Sequence, residues 1–417
     1  MIQNIRGTKD LFFEEILKWH FVEEQFRKIS NLFGYNELRT PIFERTEVFH
    51  RSIGETSDIV NKEMYTFQDK GGESITLRPE MTAALVRCVV QHNLYNLYQN
   101  LRLWYFGPFF RYERPQKGRL RQFHQYGAEC IGSPYPESDA EIIFLAISII
   151  NSLNINNYSL EINSIGNQNS REKYKIELKN YLKDNIDKLS EDSKNRLNIN
   201  PLRILDSKDE NDRKIIDNCP NILEYLDDES KEHFDLLINI LDKSNIKYSI
   251  QPKLVRGLDY YSHTVFEFRS NTLGSQDAFG GGGRYNNLIE ELGGKPTPAV
   301  GFALGVERLI LIMENSNNFV DLSNKIDFYI VYSKNEFFDK ICLISNKLRN
   351  DGYSVIFDIQ RKSFKSQLRE ADKLNAKFVI IIGEDEYLNN QLTLKNLSNG
   401  EQKTIPIDSI EAINLYL

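Results

Sequence analysis

"FFRYERPQKGRLRQFHQYGAE", residues 109–129, is the stretch on which the fold turns. Between Arg111 and Gln122 it carries five cations, Arg111, Arg114, Lys117, Arg119 and Arg121, against one acid, Glu113, with Pro115 and Gly118 among them. Pro and Gly pre-set a turn there, so the stretch reads as two strands joined by a basic loop. In the second strand, QFHQYGAE, side chains alternate. Phe123, Gln125, Gly127 and Glu129 share one side and Gln122, His124, Tyr126 and Ala128 the other. A charged hairpin by itself is as a rule a solvated surface. A basic tip running into a strand that offers Gln and Glu to one face suits a ligand with phosphate at one end and an amine at the other.

Outward from the hairpin lie the β-like runs ITLR (75–78), LRLWYFG (101–107) and PFFRYE (108–113), with a helical segment near 80–92. Ile16, Trp19, Phe26, Ile29 and Phe33 form a helical stripe over 12–33 that ends near Gly34, and AEIIFLAISIINSL (140–153) predicts a second apolar helix. This is the pattern of an α+β domain on an antiparallel sheet. From 167 to 250 the composition shifts to Lys, Asp, Glu and Asn with sparse apolar positions, as in a charged helical insertion rather than a core. A polar linker, MENSNNFVDLSNK (313–325), leads to IDFYIVY, a helix near 336–350, YSVIFDI, a helix near 363–375 and KFVIIIG. That β-α-β-α-β order implies a separate α/β unit with a largely parallel sheet.

The size, 417 residues with 41% hydrophobic and 12% aromatic content, allows two or three domains. No run approaches the roughly eighteen apolar residues of a membrane span, and MIQNIRGTKDLF has no apolar core of signal-peptide length, so a cytoplasmic protein is expected. Cys88, Cys130, Cys219 and Cys342 lie far apart, with no C-x-x-C pair and no His at zinc spacing, which argues against a disulfide framework and a structural metal. The net charge of −7 speaks against a generic polyanion binder but leaves local basic patches open.

Further stretches carry chemistry. In TLRPEMT (76–82) Pro79 ends a strand and Glu80 falls at the start of a helix, where a carboxylate is first of all a cap. In LVRGLDYYSHTVFEFR (254–269) the charge at Arg256 needs a partner, because an unpaired buried guanidinium is prohibitively expensive. The four glycines of AFGGGGRYNNLIEELGG (278–294) either let backbone approach a ligand closely or form a flexible hairpin. AVGFALGVERLIL (299–311) reads as a helix with Gly301 and Gly305 four apart and Arg308 three further on.

The order of these stretches is more specific than any one of them. GYNELRTPIFE (34–44), then the FRYE hairpin, then GFALGVER resemble motifs 1, 2 and 3 of the class II aminoacyl-tRNA synthetases, and LVRGLDYY with GGGGRY narrows the resemblance to the histidyl-tRNA synthetase family. It runs from IRGTKD to the final domain, with 167–250 matched in character rather than in letters. The resemblance implies an α+β fold: a class II antiparallel-sheet catalytic domain (1–166 and 251–320), a helical insertion (167–250) and a C-terminal α/β anticodon-binding domain (326–417).

The resemblance also implies roles. Arg111 would bind the α-phosphate of ATP and Arg308 the γ-phosphate, with Glu113 and Arg119 at the nucleotide and Phe123 stacked on adenine. Guanidinium forks suit phosphate oxygens and do not lose their charge. Arg256 would face the α-phosphate and the substrate carboxylate. Glu80, Thr82, Gln125 and Glu129 would take the ammonium of histidine, and Tyr260, Tyr261 and Tyr285 would surround its imidazole. Histidine would be activated with ATP and Mg²⁺, then passed to the 3′ end of tRNA(His). No metal ligand is assigned. Motif 1, centred on Pro41, would lie at a homodimer interface, and RKSFKSQLREADK (361–373), five cations against two acids, would meet the anticodon. Two rivals share the fold: a regulatory paralogue paired with ATP phosphoribosyltransferase, which generally lacks the C-terminal domain and has an eroded histidine loop, and a noncatalytic RNA-binding scaffold, which an intact Arg111, Arg256 and Arg308 disfavours. Met81 stands where many relatives carry glycine.

Overall fold

The structure is a computed structural model that describes residues 1–54, 57–274, 277–319, 322 and 326–408. The chain divides into two compact units, Met1–Val320 and Asp321–Leu417. Much of the polar linker, and the end of the chain from 409, lie outside the described residues.

The first unit opens with α1 (Glu14–Leu32), which buries Trp19, Val22, Phe26 and Ser30 along one face and ends where Gly34 takes φ +73°. Strands β1 (Asn36–Glu37) and β2 (Phe43–Arg45), helix α2 (Thr46–Ile53), and strands β3 (Tyr65–Gln68) and β4 (Ser74–Leu77) follow. Strands β2, β4 and β3 make a small antiparallel sheet that delivers the chain to α3 (Thr82–Gln91). Next come the long hairpin of β5 (Leu101–Phe110) and β6 (Gln122–Ile131), helix α4 (Pro136–Ser152) and β7 (Ser159–Ser164). Helices α5 (Gln168–Lys183), α6 (Glu191–Ile199), α7 (Glu210–Ile216) and α8 (Asp228–Lys243) precede β8 (Ser249–Ile250), β9 (Ser262–Arg269), β10 (Ala278–Arg284), α9 (Leu288–Glu291), β11 (Ala299–Gly305) and α10 (Val306–Asn315).

Eight strands form one sheet in the order β1-β5-β6-β11-β10-β9-β7-β8, antiparallel throughout except for the short edge strands β1 and β8. Alternation along β6 divides its two faces. Tyr126 and Ala128 enter a core with Trp19 and Phe26 of α1, Ile142 and Ile149 of α4, and Leu237 and Leu241 of α8. Each fully buried Phe, Leu or Ile among them contributes about 1.5–3 kcal/mol, enough to hold three helices on that face. The opposite face carries the candidate site.

Three expectations change. β5 runs unbroken through Pro108, so PFFRYE is no separate strand. Phe110 N–H bonds Arg78 O, away from β6, so the N–H that Pro108 lacks would point to the same outer side, where the β6 ladder does not need it. AVGFALG is a strand, and the helix begins only at Val306. Small residues spaced by four mimic a helix, whereas here they let β11 lie between β6 and β10. The stretch 167–250 holds more core than its composition suggests. Tyr174, Leu178, Leu182, Leu197, Ile204 and Ile216 are buried in one cluster with Tyr105, Tyr260 and Tyr285.

The second unit has β12 (Phe328–Tyr332), α11 (Phe338–Asn350), β13 (Val355–Phe357), α12 (Phe364–Lys373), β14 (Phe378–Ile382), α13 (Glu384–Leu388), β15 (Gln391–Asn396) and β16 (Gln402–Pro406). Its sheet order is β13-β12-β14-β15-β16; the first three strands are parallel and the last two, which the sequence reading lacked, form an antiparallel hairpin. Among the described residues no helix is long and apolar enough to cross a membrane.

Candidate active site

Every residue given a role at ATP or histidine from the sequence lines one pocket on the open face of the large sheet: Glu80, Thr82, Arg111, Glu113, Arg119, Phe123, Gln125, Glu129, Arg256, Tyr260, Tyr261, Tyr285 and Arg308. At one end Glu129, 1% exposed, accepts hydrogen bonds from Thr82 Oγ1 (2.9 Å) and Tyr285 OH (2.7 Å). Burial pushes its carboxyl up to about 8, against the pull of those two bonds and with Glu80 adding to the rise. Gly301 lies directly beneath, and a Cβ there would occupy the space of the Glu129 carboxylate. Tyr260 packs against Tyr261 and Tyr285 with ring centroids 4.7 and 5.7 Å apart. Glu80 is both cap and wall: its two oxygens accept from Thr82 N (2.7 Å) and Ala83 N (2.8 Å) at the start of α3 while it faces the pocket, and burial raises its pKa.

The other end is cationic. The guanidinium of Arg111 lies 5.2 Å over the Phe123 ring and donates to Pro79 O at 2.9 Å, which fixes its plane. Arg119 pairs with Glu113. Arg308 has backbone partners, donating Nε to Gly118 O at 3.0 Å and Nη1 to Ala278 O. Burial lowers its pKa first, and Arg119 and Arg111 lower it further. An anion placed there would relieve all three cations at once.

Arg256 stands between the ends. Glu267 of β9 takes its Nη1, and Glu267 is itself shared with Arg269 at 2.6 Å. Burial works against the Arg256 charge, but Glu267, the two tyrosines and Asp206 outweigh it and leave the guanidinium above its ordinary value. Its Nε is buried and has no hydrogen-bond partner within the protein. Close backbone packing makes room for this side chain, since a Cβ on Gly281 would come 3.0 Å from its Nη1.

A model of the histidyl-tRNA synthetase family matches residues 7–309, and one of the anticodon binding domain matches 327–413. The chain belongs to the histidyl-tRNA synthetase family. It is 46% identical over 407 residues to a histidine–tRNA ligase of Natranaerobius thermophilus, covering 97% of each chain. To the chloroplastic histidine–tRNA ligase of Gracilaria tenuistipitata it is 48% identical over 404 residues, covering 97% of this chain and 95% of the other. The crystal structure of an apo S. aureus histidyl-tRNA synthetase superposes with a TM-score of 0.84 at 37% identity, over 99% of both chains.

Within this family member the pocket also holds residues that the sequence did not single out. Tyr105, fully buried under Gly127, sits in an apolar run that gives no sign of a site. Glu267 is the one acid in SHTVFEFR, eleven residues after Arg256, but nothing in the sequence pairs the two. Glu307 accepts from His124 N and Nδ1, each at 3.0 Å, and so ties the start of α10 to β6. Met81 points away from the pocket; its sulfur meets Thr40 Oγ1 at 3.5 Å and Arg78 Nη1 at 3.7 Å.

In the second unit Arg361, Lys365 and Arg369 are exposed around α12. Buried Gln367 accepts from Tyr332 N (3.0 Å) and donates to Tyr332 O (3.1 Å) and Lys362 O (2.9 Å), fastening that helix and its lead-in to β12.

Proposed function

We infer that the chain works as a histidine–tRNA ligase through this single pocket. The observation that carries the reading is its polarity: a buried carboxylate ringed by tyrosines at one end, a cluster of guanidiniums at the other, and Arg256 between them. Histidine lies with its ammonium toward Glu129, Thr82, Gln125 and Glu80 and its imidazole among Tyr260, Tyr261 and Tyr285. Two ring nitrogens that each need a partner let a hydrogen-bonding pocket reject apolar isosteres. ATP lies with its α-phosphate at Arg111, its γ-phosphate at Arg308, its base against Phe123, and Glu113 and Arg119 alongside.

A histidine carboxylate oxygen attacks the α-phosphorus, the bond to the bridging oxygen breaks, and pyrophosphate leaves. Arg256 and Arg111 face the oxygens on which negative charge builds, and no protein nucleophile is needed. In the second step the 3′-hydroxyl of the terminal adenosine of tRNA(His) attacks the histidyl carbonyl and AMP leaves. Among the described residues no cluster of three His, Cys, Asp or Glu side chains is placed to hold a metal, and Glu113 and Glu267 are engaged by arginines. Mg²⁺ therefore fits this pocket as an ion carried on the nucleotide phosphates. The exposed cations around α12 suit an unstacked anticodon, which assigns the second unit to tRNA. Motif 1 around Pro41 would face the second subunit of a homodimer, and the place of action is the cytoplasm.

Pyrophosphate exchange measured against all twenty amino acids tests the reading: only histidine should support exchange. Arg256→Ala should cut the rate by about a hundredfold or more, the loss expected for one preorganised donor. Lysine at that position should restore little, because it lacks the planar fork. Exchange near the wild-type rate in Arg256→Ala would sink the assignment.

A further inference from the structure

The stretch 167–250 has no part in the chemistry above, yet one short piece of it presses on the loop that carries Arg256, Tyr260 and Tyr261. Beyond α6 the chain makes a 3-10 turn, Pro201–Asp206. From it Arg203 Nη2 donates to Asp259 Oδ1 at 3.1 Å, and Asn200 Nδ2 donates to the same oxygen at 3.2 Å. A Cβ on Gly257 would lie 3.6 Å from Arg203 Nη1, so the guanidinium rests along the turn of the Arg256–Asp259 segment. On its other side Asp259 donates its backbone N–H to Ile53 O at 3.3 Å and lies against Gly54, whose φ of +91° and lack of a Cβ admit the carboxylate. The same piece also reaches a segment that braces the chain next to Arg111. Arg196 donates to Arg203 O (3.4 Å) and to Asp58 Oδ2 (3.2 Å), beside the helical turn whose Glu63 O accepts from Tyr112 N (2.7 Å) next to Arg111.

Asp259 is thus held from both sides, three residues after Arg256 and one before Tyr260. Arg203 is largely buried, with 16% of its side chain exposed, so the pair is less screened than a surface ion pair. We propose that Arg203 is a positioning residue for histidine: by gripping Asp259 it holds the 256–261 loop in register, and the 167–250 stretch thereby sets the amino-acid site from behind. The proposal rests on the assignment of Arg256, Tyr260 and Tyr261 to histidine. It explains why a segment of charged composition places Ile204 and Leu205 in one core with Tyr260 and Tyr261.

The test compares Arg203→Gln and Arg203→Lys with the full-length wild type in pyrophosphate exchange, with thermal unfolding recorded for each. Misplacing a binding loop by a fraction of an ångström costs about tenfold or more, so Arg203→Gln should raise the histidine KM about tenfold while the ATP KM stays within about twofold. Arg203→Lys, which keeps the charge and loses the fork, should fall between. A wild-type histidine KM in Arg203→Gln overturns the proposal, as does an equal change in both KM values together with a lowered Tm. Should Arg203→Gln fail to fold, hydrogen exchange of the wild-type protein decides. Saturating histidine should slow exchange in 200–206 as well as in 256–261, and protection confined to 256–261 refutes the coupling. Wild-type exchange in Arg256→Ala would instead discredit the underlying site assignment, whatever Arg203 does.

Discussion

A carboxylate in the position of Glu129 has two environments to satisfy. Burial holds its pKa near 8 although Thr82 and Tyr285 each donate a hydrogen bond. Raised above pH 7, the group is mostly protonated there. An ammonium ion in contact favours the charged form and drives the pKa back down, so the proton must leave as histidine enters. Calorimetry at pH 7 in buffers of different ionisation enthalpy should therefore report release of about one proton per histidine bound, shrinking as the pH rises through 8. Glu129→Gln should abolish this release and weaken histidine binding while ATP affinity barely changes, because the ammonium loses a charged acceptor and Tyr285 and Thr82 compete for one amide oxygen. Equal losses for both ligands would point to a damaged fold. Alternation along QFHQYGAE already placed Glu129 with Gln125 and Phe123. Its pairing with Tyr285, 156 residues away, was not legible, because nothing local records which strands become neighbours.

At the scale of strands, glycine does the spacing. A Cβ on Gly301 of β11 would displace the Glu129 carboxylate on β6, and one on Gly282 of β10 would meet Gly301 O. The strands can close on one another only because both side chains are absent, which also explains why the four glycines form a central strand rather than a flexible hairpin. Gly301→Ala should cost histidine affinity about tenfold or more and also lower the Tm, since the methyl group meets both the Glu129 carboxylate and the backbone oxygen of Ala128. Arg284, which ends the same strand, is fully buried; it pairs with Asp139 of α4 and donates to Ser133 O (2.8 Å), Tyr135 O (3.0 Å) and Ser138 Oγ (2.8 Å). Replacing it with Met would leave the buried Asp139 carboxylate with only His233 beside it, at a cost of up to about 3–5 kcal/mol, visible as a lowered denaturation midpoint. Nothing in GGGGRY distinguished this structural arginine from the pocket-lining ones at Arg256 and Arg308.

For the molecule as a whole, each unit has its own buried clusters, and the residues assigned to ATP and histidine all lie in the first. A chain ended after Phe319 should accordingly retain histidine-dependent pyrophosphate exchange. Transfer to tRNA should collapse, because binding would rest on the acceptor end alone, with fewer phosphate contacts and a shallower dependence on salt. Sedimentation must accompany the assay, since a change in oligomeric state would also alter transfer. A folded truncation in the same oligomeric state as the full chain that charges tRNA equally well refutes the division of labour.

Much of this is readable in the amino-acid sequence alone. Local chemistry along the chain marked the basic hairpin, the helix over 12–33, the α/β order of the second unit and the stretches that meet in the pocket, because turn residues and apolar periodicity act over a few residues. What needed the fold was everything that depends on contact between distant segments. Glu267 answers Arg256, Arg203 grips Asp259, Met81 turns away from the pocket, and AVGFALG is a strand because β6 and β10 flank it. A buried charge requires a partner, and the sequence states that requirement at Arg256. Which of 59 acids meets it is decided only when the strands pair.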